Sequence, residues 1–114
     1  MPEIPDITDN ENWIIETTLI ERYGEEVEPQ IADAEIRLQA SDRELSFCPV
    51  WVWQRDGCTF VIFKTGERRY RCQFFYKPYR QFNTGIAEYK DLTECAVSLL
   101  QVQADYAAKE EGDL

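Results

Sequence analysis

The sequence predicts an α+β domain in which an antiparallel sheet of four to five strands packs on a long C-terminal helix. Three observations carry that expectation. Leu45 to Trp53, Cys58 to Lys64 and Arg68 to Tyr76 are β-prone runs separated by Asp56-Gly57 and Thr65-Gly66, which reads as an antiparallel meander over 45–76. Asp91 followed by Glu94 resembles a helix N-cap with its reciprocal partner, and Gly112 supplies a stop, so a helix is expected at about 92–110. The chain has 114 residues, of which 44% are hydrophobic and 13% aromatic, enough for one core despite a formal net charge of −10.

Residues 1–12 are rich in Pro and acids and are expected to form a mobile tail, with Asn10 or Asn12 opening the first ordered element of a single domain over 13–114. Trp13 to Tyr23 offers Trp13, Ile15, Thr17 and Leu19 at period two, while Ile15, Leu19 and Arg22 also fit a helical face. The β-branched residues Ile14, Ile15, Thr17, Thr18 and Ile20 favour a strand. Ala34, Ile36, Leu38 and Ala40 alternate in a second strand, for which a short helix is the alternative. Pro49 has no N–H to donate, so its strand belongs at a sheet edge or has a bulge near its start. Lys77 to Gly85 contains Pro, Asn and Gly without any period and reads as an aromatic-rich loop.

In the helix at 92–110, Leu92, Cys95, Leu99, Val102 and Tyr106 form one stripe with Ala96 and Leu100 beside it, and Val97, Ala104 and Ala108 widen the arc beyond what one sheet face needs. The meander allows two registers. With two-residue loops at both turns, Trp51, Trp53, Phe60, Ile62, Arg69 and Arg71 share a face. With a three-residue second loop and Gly66 left-handed, Tyr70, Cys72 and Phe74 join Trp51 and Trp53 instead. In both, the first two strands are apolar on both faces, and one helix covers only one of them. The N-terminal residues Trp13 to Leu38 are the natural cover for the second.

The chemistry legible in the chain is mostly negative. There is no histidine, which removes Ser-His-Asp and Cys-His mechanisms and His-based metal sites. The cysteines Cys48, Cys58, Cys72 and Cys95 form no Cys-x-x-Cys pair and read as reduced core thiols. The glycines stand singly, without a phosphate-binding loop. No catalytic residue, metal or cofactor is assigned. The N-terminus lacks a basic region and an apolar signal core, and no run reaches bilayer length, so a cytoplasmic location away from membranes is expected.

Charge is unevenly placed: residues 1–47 hold 13 acids and 3 bases, 48–90 hold 3 acids and 8 bases, and 91–114 hold 6 acids and 1 base. Arg68 to Arg71 and Lys77 to Phe82 interleave bases with rings as single-strand binders do, but the overall negative charge argues against nucleic acid. The functional expectation is a non-catalytic interaction or regulatory module that contacts another protein, or itself as a homodimer. Its contact surface is an aromatic-basic one built from Trp51, Trp53, Arg69, Arg71, Tyr79, Arg80 and Phe82. The alternative is a small ligand or modest active site in a pocket between sheet and helix, lined by Tyr70, Tyr76, Tyr79 or Cys72. A second alternative is single-stranded nucleic-acid binding that depends on Arg69 and Arg71.

Overall fold

A computed structural model of the chain describes residues 4–39, 41–77 and 80–110. It contains a five-stranded antiparallel sheet in sequential order, preceded by one helix and followed by another: α1 Asp9–Tyr23, β1 Gln30–Ile36, β2 Ser46–Arg55, β3 Cys58–Gly66, β4 Arg69–Lys77, β5 Arg80–Phe82 and α2 Leu92–Glu110. The α+β class, the meander and the C-terminal helix stand as the sequence predicts. Gly112 lies outside the described residues.

The segment expected as a first strand is α1, and this is the main correction. Thr8 is its N-cap, accepting from the Glu11 N–H at 3.1 Å while its own N–H donates to Glu11 Oε1 at 2.9 Å. Residues 9–12, expected in the tail, are therefore the first turn of α1. Gly24, at φ 73°, ends it by donating to the Ile20 carbonyl. The β-branched residues cost at most about 0.7 kcal/mol each in a helix. Burying Ile15 and Leu19 completely contributes about 1.5–3 kcal/mol apiece and the cap about 1 kcal/mol, so the buried i, i+4 stripe of Glu11, Ile15 and Leu19 wins.

The first hairpin turns at Asp56 and Gly57, with φ 53° and 78°, the doubly positive pattern of a two-residue loop matched to strand twist. The second turns at Glu67 and Arg68 rather than at Thr65-Gly66: Gly66 pairs with Arg69, Arg68 takes φ 56°, and the register shifts between Lys64 and Gly66. That bulge selects the second of the two registers by a route other than a left-handed Gly66. Trp51 stands opposite Ile62 and Ile62 opposite Cys72, while Trp53 stands opposite Phe60 and Phe60 opposite Phe74. The expected loop at 77–85 contains the short strand β5.

Both helices lie on this aromatic face. Ile15 and Leu19 of α1 and Leu92, Cys95, Ala96, Leu99 and Leu100 of α2 join Trp51, Trp53, Phe60, Ile62 and Phe74 in one core. The N-terminal region thus doubles the cover of the first face instead of closing the second, and β1 widens the sheet. Pro49 is in an inner strand, contrary to the edge expectation. It pairs with Asp33 of β1, however, and the β2–β3 ladder begins only at Val50, so on its β3 side Pro49 stands at an open end of the pairing. The four cysteines are buried and unpaired. Among the described residues no helix is long and apolar enough to cross a membrane.

Candidate functional site

The residues expected to form one contact surface are divided among three places. Trp51 and Trp53 are in the core beneath α1: the Trp51 Nε1–H donates to Asn12 Oδ1 and the Trp53 Nε1–H to the Tyr23 hydroxyl, both at 3.3 Å, and Trp53 stacks on Phe60 with ring centroids 5.1 Å apart. With 0% and 4% of their surface exposed, neither tryptophan is available to a partner. The register excludes them from the arginine face, and the unforeseen helix covers them. Phe82 is half-buried on the core side, 5.2 Å from Phe74 and 4.4 Å from Tyr106 between centroids. Arg80 turns to the end of α2, donating to the Tyr106 hydroxyl and lying 3.9 Å from Glu110. Tyr79 lies outside the described residues. Arg69 and Arg71 sit on the opposite side of the sheet.

One buried polar cluster has no counterpart in the sequence reading. Lys64, only 3% exposed, donates from Nζ to Glu11 Oε1 at 2.7 Å and to the Asp6 carbonyl at 2.6 Å, and the Tyr70 hydroxyl donates to Glu11 Oε2. Burial opposes ionisation of Glu11 most strongly, but the bonds from Lys64, Tyr70 and Thr8 together outweigh it and hold the carboxyl below its ordinary value. Burial, with the adjacent Glu11, pushes the Tyr70 phenol up. An acid, an amine and a phenol thus meet beside a cleft of about 690 Å³ between α1, the start of α2 and the β3–β4 turn. Each Glu11 oxygen is already engaged, and the cluster's evident work is to fasten α1 to the sheet. A lysine at the end of a continuous apolar run gives no local sign of burial. The Thr8-x-x-Glu11 spacing was readable as a helix start.

The helix-free face carries β2 residues Cys48, Val50 and Val52, β3 residues Val61 and Phe63, and β4 residues Arg69, Arg71, Gln73 and Phe75. Cys48, Val50 and Val61 are buried, whereas Val52, Phe63 and Phe75 are half-exposed. The β1–β2 connection reaches over this face far enough for Leu38 to accept from Arg71 Nη2 at 2.8 Å. The Nε of Arg71 is buried and has no hydrogen bond: the nearest carboxylate oxygen, Glu88 Oε2, is 3.7 Å away and is held by the Thr65 hydroxyl at 3.1 Å. Arg69 Nε lies 3.9 Å from the other Glu88 oxygen. Arg71, Phe63 and Gln73 floor a cleft of about 390 Å³ walled by Ile36, Asn83 and Ile86. A planar donor fork at the bottom of a half-apolar cleft can receive a carboxylate or carbonyl oxygen.

Among the described residues no group of three or more His, Cys, Asp or Glu side chains is arranged to hold a metal ion. The fold and clefts define a helix-covered antiparallel sheet with one partly open, arginine-bearing face. No family model matches this chain, and no curated protein or solved structure matches it either.

Proposed function

We propose that this chain is a non-catalytic interaction module that docks another protein on the helix-free face of its sheet. The observation that carries the reading is the buried, unbonded Nε of Arg71 at the floor of the cleft. Leaving such a donor unpaired costs about 1–3 kcal/mol, which an acceptor from a partner recovers once the one-third-exposed Arg71 side chain shifts to uncover its Nε. Phe63, Phe75 and Val52 supply the apolar surround and Arg69 a charged rim, a mixture enriched at contact surfaces. Arg69 and Arg71 keep their expected role, and Phe63, Phe75 and Gln73 replace the tryptophans. The partner is a segment that aims a carboxylate at Arg71 while laying an apolar side chain on Phe63. Four unpaired, buried thiols suit a reducing compartment, and the proposal places the module in the cytoplasm.

The test follows the Arg71 Nε–H resonance by nuclear magnetic resonance while short peptides ending in leucine are added, with either a free or an amidated C-terminus. The free acid is expected to move that resonance together with the Phe63 and Gln73 amides. The amidated peptide, and the free acid against Arg71→Lys, are expected to move them far less, because lysine keeps the charge without the fork. Absence of any shift at millimolar peptide rejects the proposal.

A further inference from the structure

The two edges of the sheet are unlike. β5 is three residues long, whereas β1 is seven residues long and five of these are exposed. No described segment pairs with the outer side of β1, so about half of its backbone N–H and C=O groups face outward unpaired. Edge strands are usually blunted by shortness, Lys, Pro or a bulge. Gln30–Ile36 has no Lys, Pro or bulge, its charged residues are Asp33 and Glu35, and Pro29 and Arg37 stand only at its two ends.

Next to this edge the aromatic face runs out from under α1. Ile31, opposite Trp51, is 54% exposed, and Phe47, opposite Glu35, is 66% exposed. Asp33 and Glu35 lie on the same side of β1 as Ile31, and a cleft of about 290 Å³ beside them is lined by Asp6, Asp9, Asn12, Ile31, Asp33 and Pro49. The other side of β1 carries Ala32, Ala34 and Ile36, all free of charge.

These charges decide what can pair with the edge. In a second copy added antiparallel, the register centred on Asp33 sets Asp33 against its own equivalent, and the register centred on Ala34 sets Asp33 against Glu35. Like charges directly opposite are destabilising. The geometry points to a docking site for an extended segment of another protein with Lys or Arg at every second position and apolar residues between. Its backbone completes β1 as a sixth strand, its basic side chains face Asp33 and Glu35, and its apolar residues lie along Ala32, Ala34 and Ile36. This site borders the Arg71 cleft only at Ile36, and the residues that select its partner, Asp33 and Glu35, lie on the opposite side of β1, so it stands without that cleft.

The probe is a fluorescein-labelled, end-capped peptide alternating Lys and Val, titrated by anisotropy, with a Glu-Val peptide as counterpart. The Lys-Val peptide is expected to bind more weakly as salt rises, and the Glu-Val peptide not to bind. Asp33→Lys with Glu35→Lys is expected to weaken binding about tenfold or more, from two cross-strand pairs turned from attraction to repulsion. Glu94→Lys with Asp105→Lys changes the net charge equally on α2 and is expected to leave affinity within about twofold. Backbone N-methylation of the peptide at alternate residues is expected to abolish binding in one phase and spare it in the other, and bound peptide slows hydrogen exchange of β1 amides. Equal losses in the two double variants, equal effects of the two methylation phases, or no binding of the Lys-Val peptide overturns the proposal.

Discussion

Replacing Glu11 by leucine isolates the pair that fastens α1 to the sheet. The substitution leaves the Lys64 ammonium, 3% exposed, with the Asp6 carbonyl as its remaining bonded partner, and strips the Tyr70 hydroxyl and the Thr8 N–H of their acceptors. Removing one member of a buried pair costs about 3–5 kcal/mol, a large share of the 5–15 kcal/mol that holds a domain of this size. With a urea dependence of about 2 kcal/mol per molar, a loss of about 4 kcal/mol lowers the unfolding midpoint by about 2 M. Unfolding followed by tryptophan fluorescence measures this directly, since Trp51 and Trp53 lie under the same helix. Adding Lys64→Met to Glu11→Leu is expected to restore part of the loss, because the orphaned charge goes with it. A drop below about 1 kcal/mol for Glu11→Leu, or a further loss on adding Lys64→Met, refutes the reasoning. The pH dependence follows the same logic. The folded carboxyl ionises below its ordinary value of 4.5, so its contribution is complete above that value and is lost as pH falls through the folded value. The difference between wild type and Glu11→Gln should therefore shrink on acidification below about pH 4.5 and stay constant above it.

Trp13 is 63% exposed while the other two tryptophans are buried, so Trp13→Phe should remove most of the iodide-quenchable fluorescence and leave a blue-shifted remainder. Arg68→Asn should raise stability by about 0.5–1 kcal/mol in urea unfolding, since Arg68 takes φ 56° in an exposed turn and asparagine tolerates that region better. Burial pushes the Cys58 thiol up to about 11, so iodoacetamide at pH 8 should leave Cys58 of the native protein unmodified and alkylate it once urea is added.

What could be read from the residues was local. Asp56-Gly57 announced its hairpin because only a few residues adopt two successive positive φ values, and Asp91 announced α2 because its carboxylate accepts from the Glu94 N–H at 3.0 Å. Residues 13–23 misled because intrinsic preference and burial pull in different directions there. The β-branched run favours extension by fractions of a kcal/mol, whereas the gain from Ile15 and Leu19 depends on an aromatic wall nearly forty residues away. The contact surface inherited that error: without a helix over them, Trp51 and Trp53 looked open. Register was undecidable locally because the bulge between Lys64 and Gly66 carries no residue signature. Lys64 and Arg71 acquire their character only through Glu11, Leu38 and Glu88, each distant in the chain.

Pro49 has a wider effect than its own missing donor. Continuing the β2–β3 pairing past Val50 and Phe63 would bring Pro49 opposite Lys64, and there the rungs between these two strands stop. Beyond that point the sheet opens into a fork, β1 with β2 on one prong and β3 with β4 on the other. The segment leading into α1 lies at the notch: Asp6 and Ile7 border the cleft at Pro49, and the Asp6 carbonyl accepts a hydrogen bond from Lys64 Nζ. A proline that cannot supply a rung thus makes a socket, and Asp6 with Ile7 sits at its mouth.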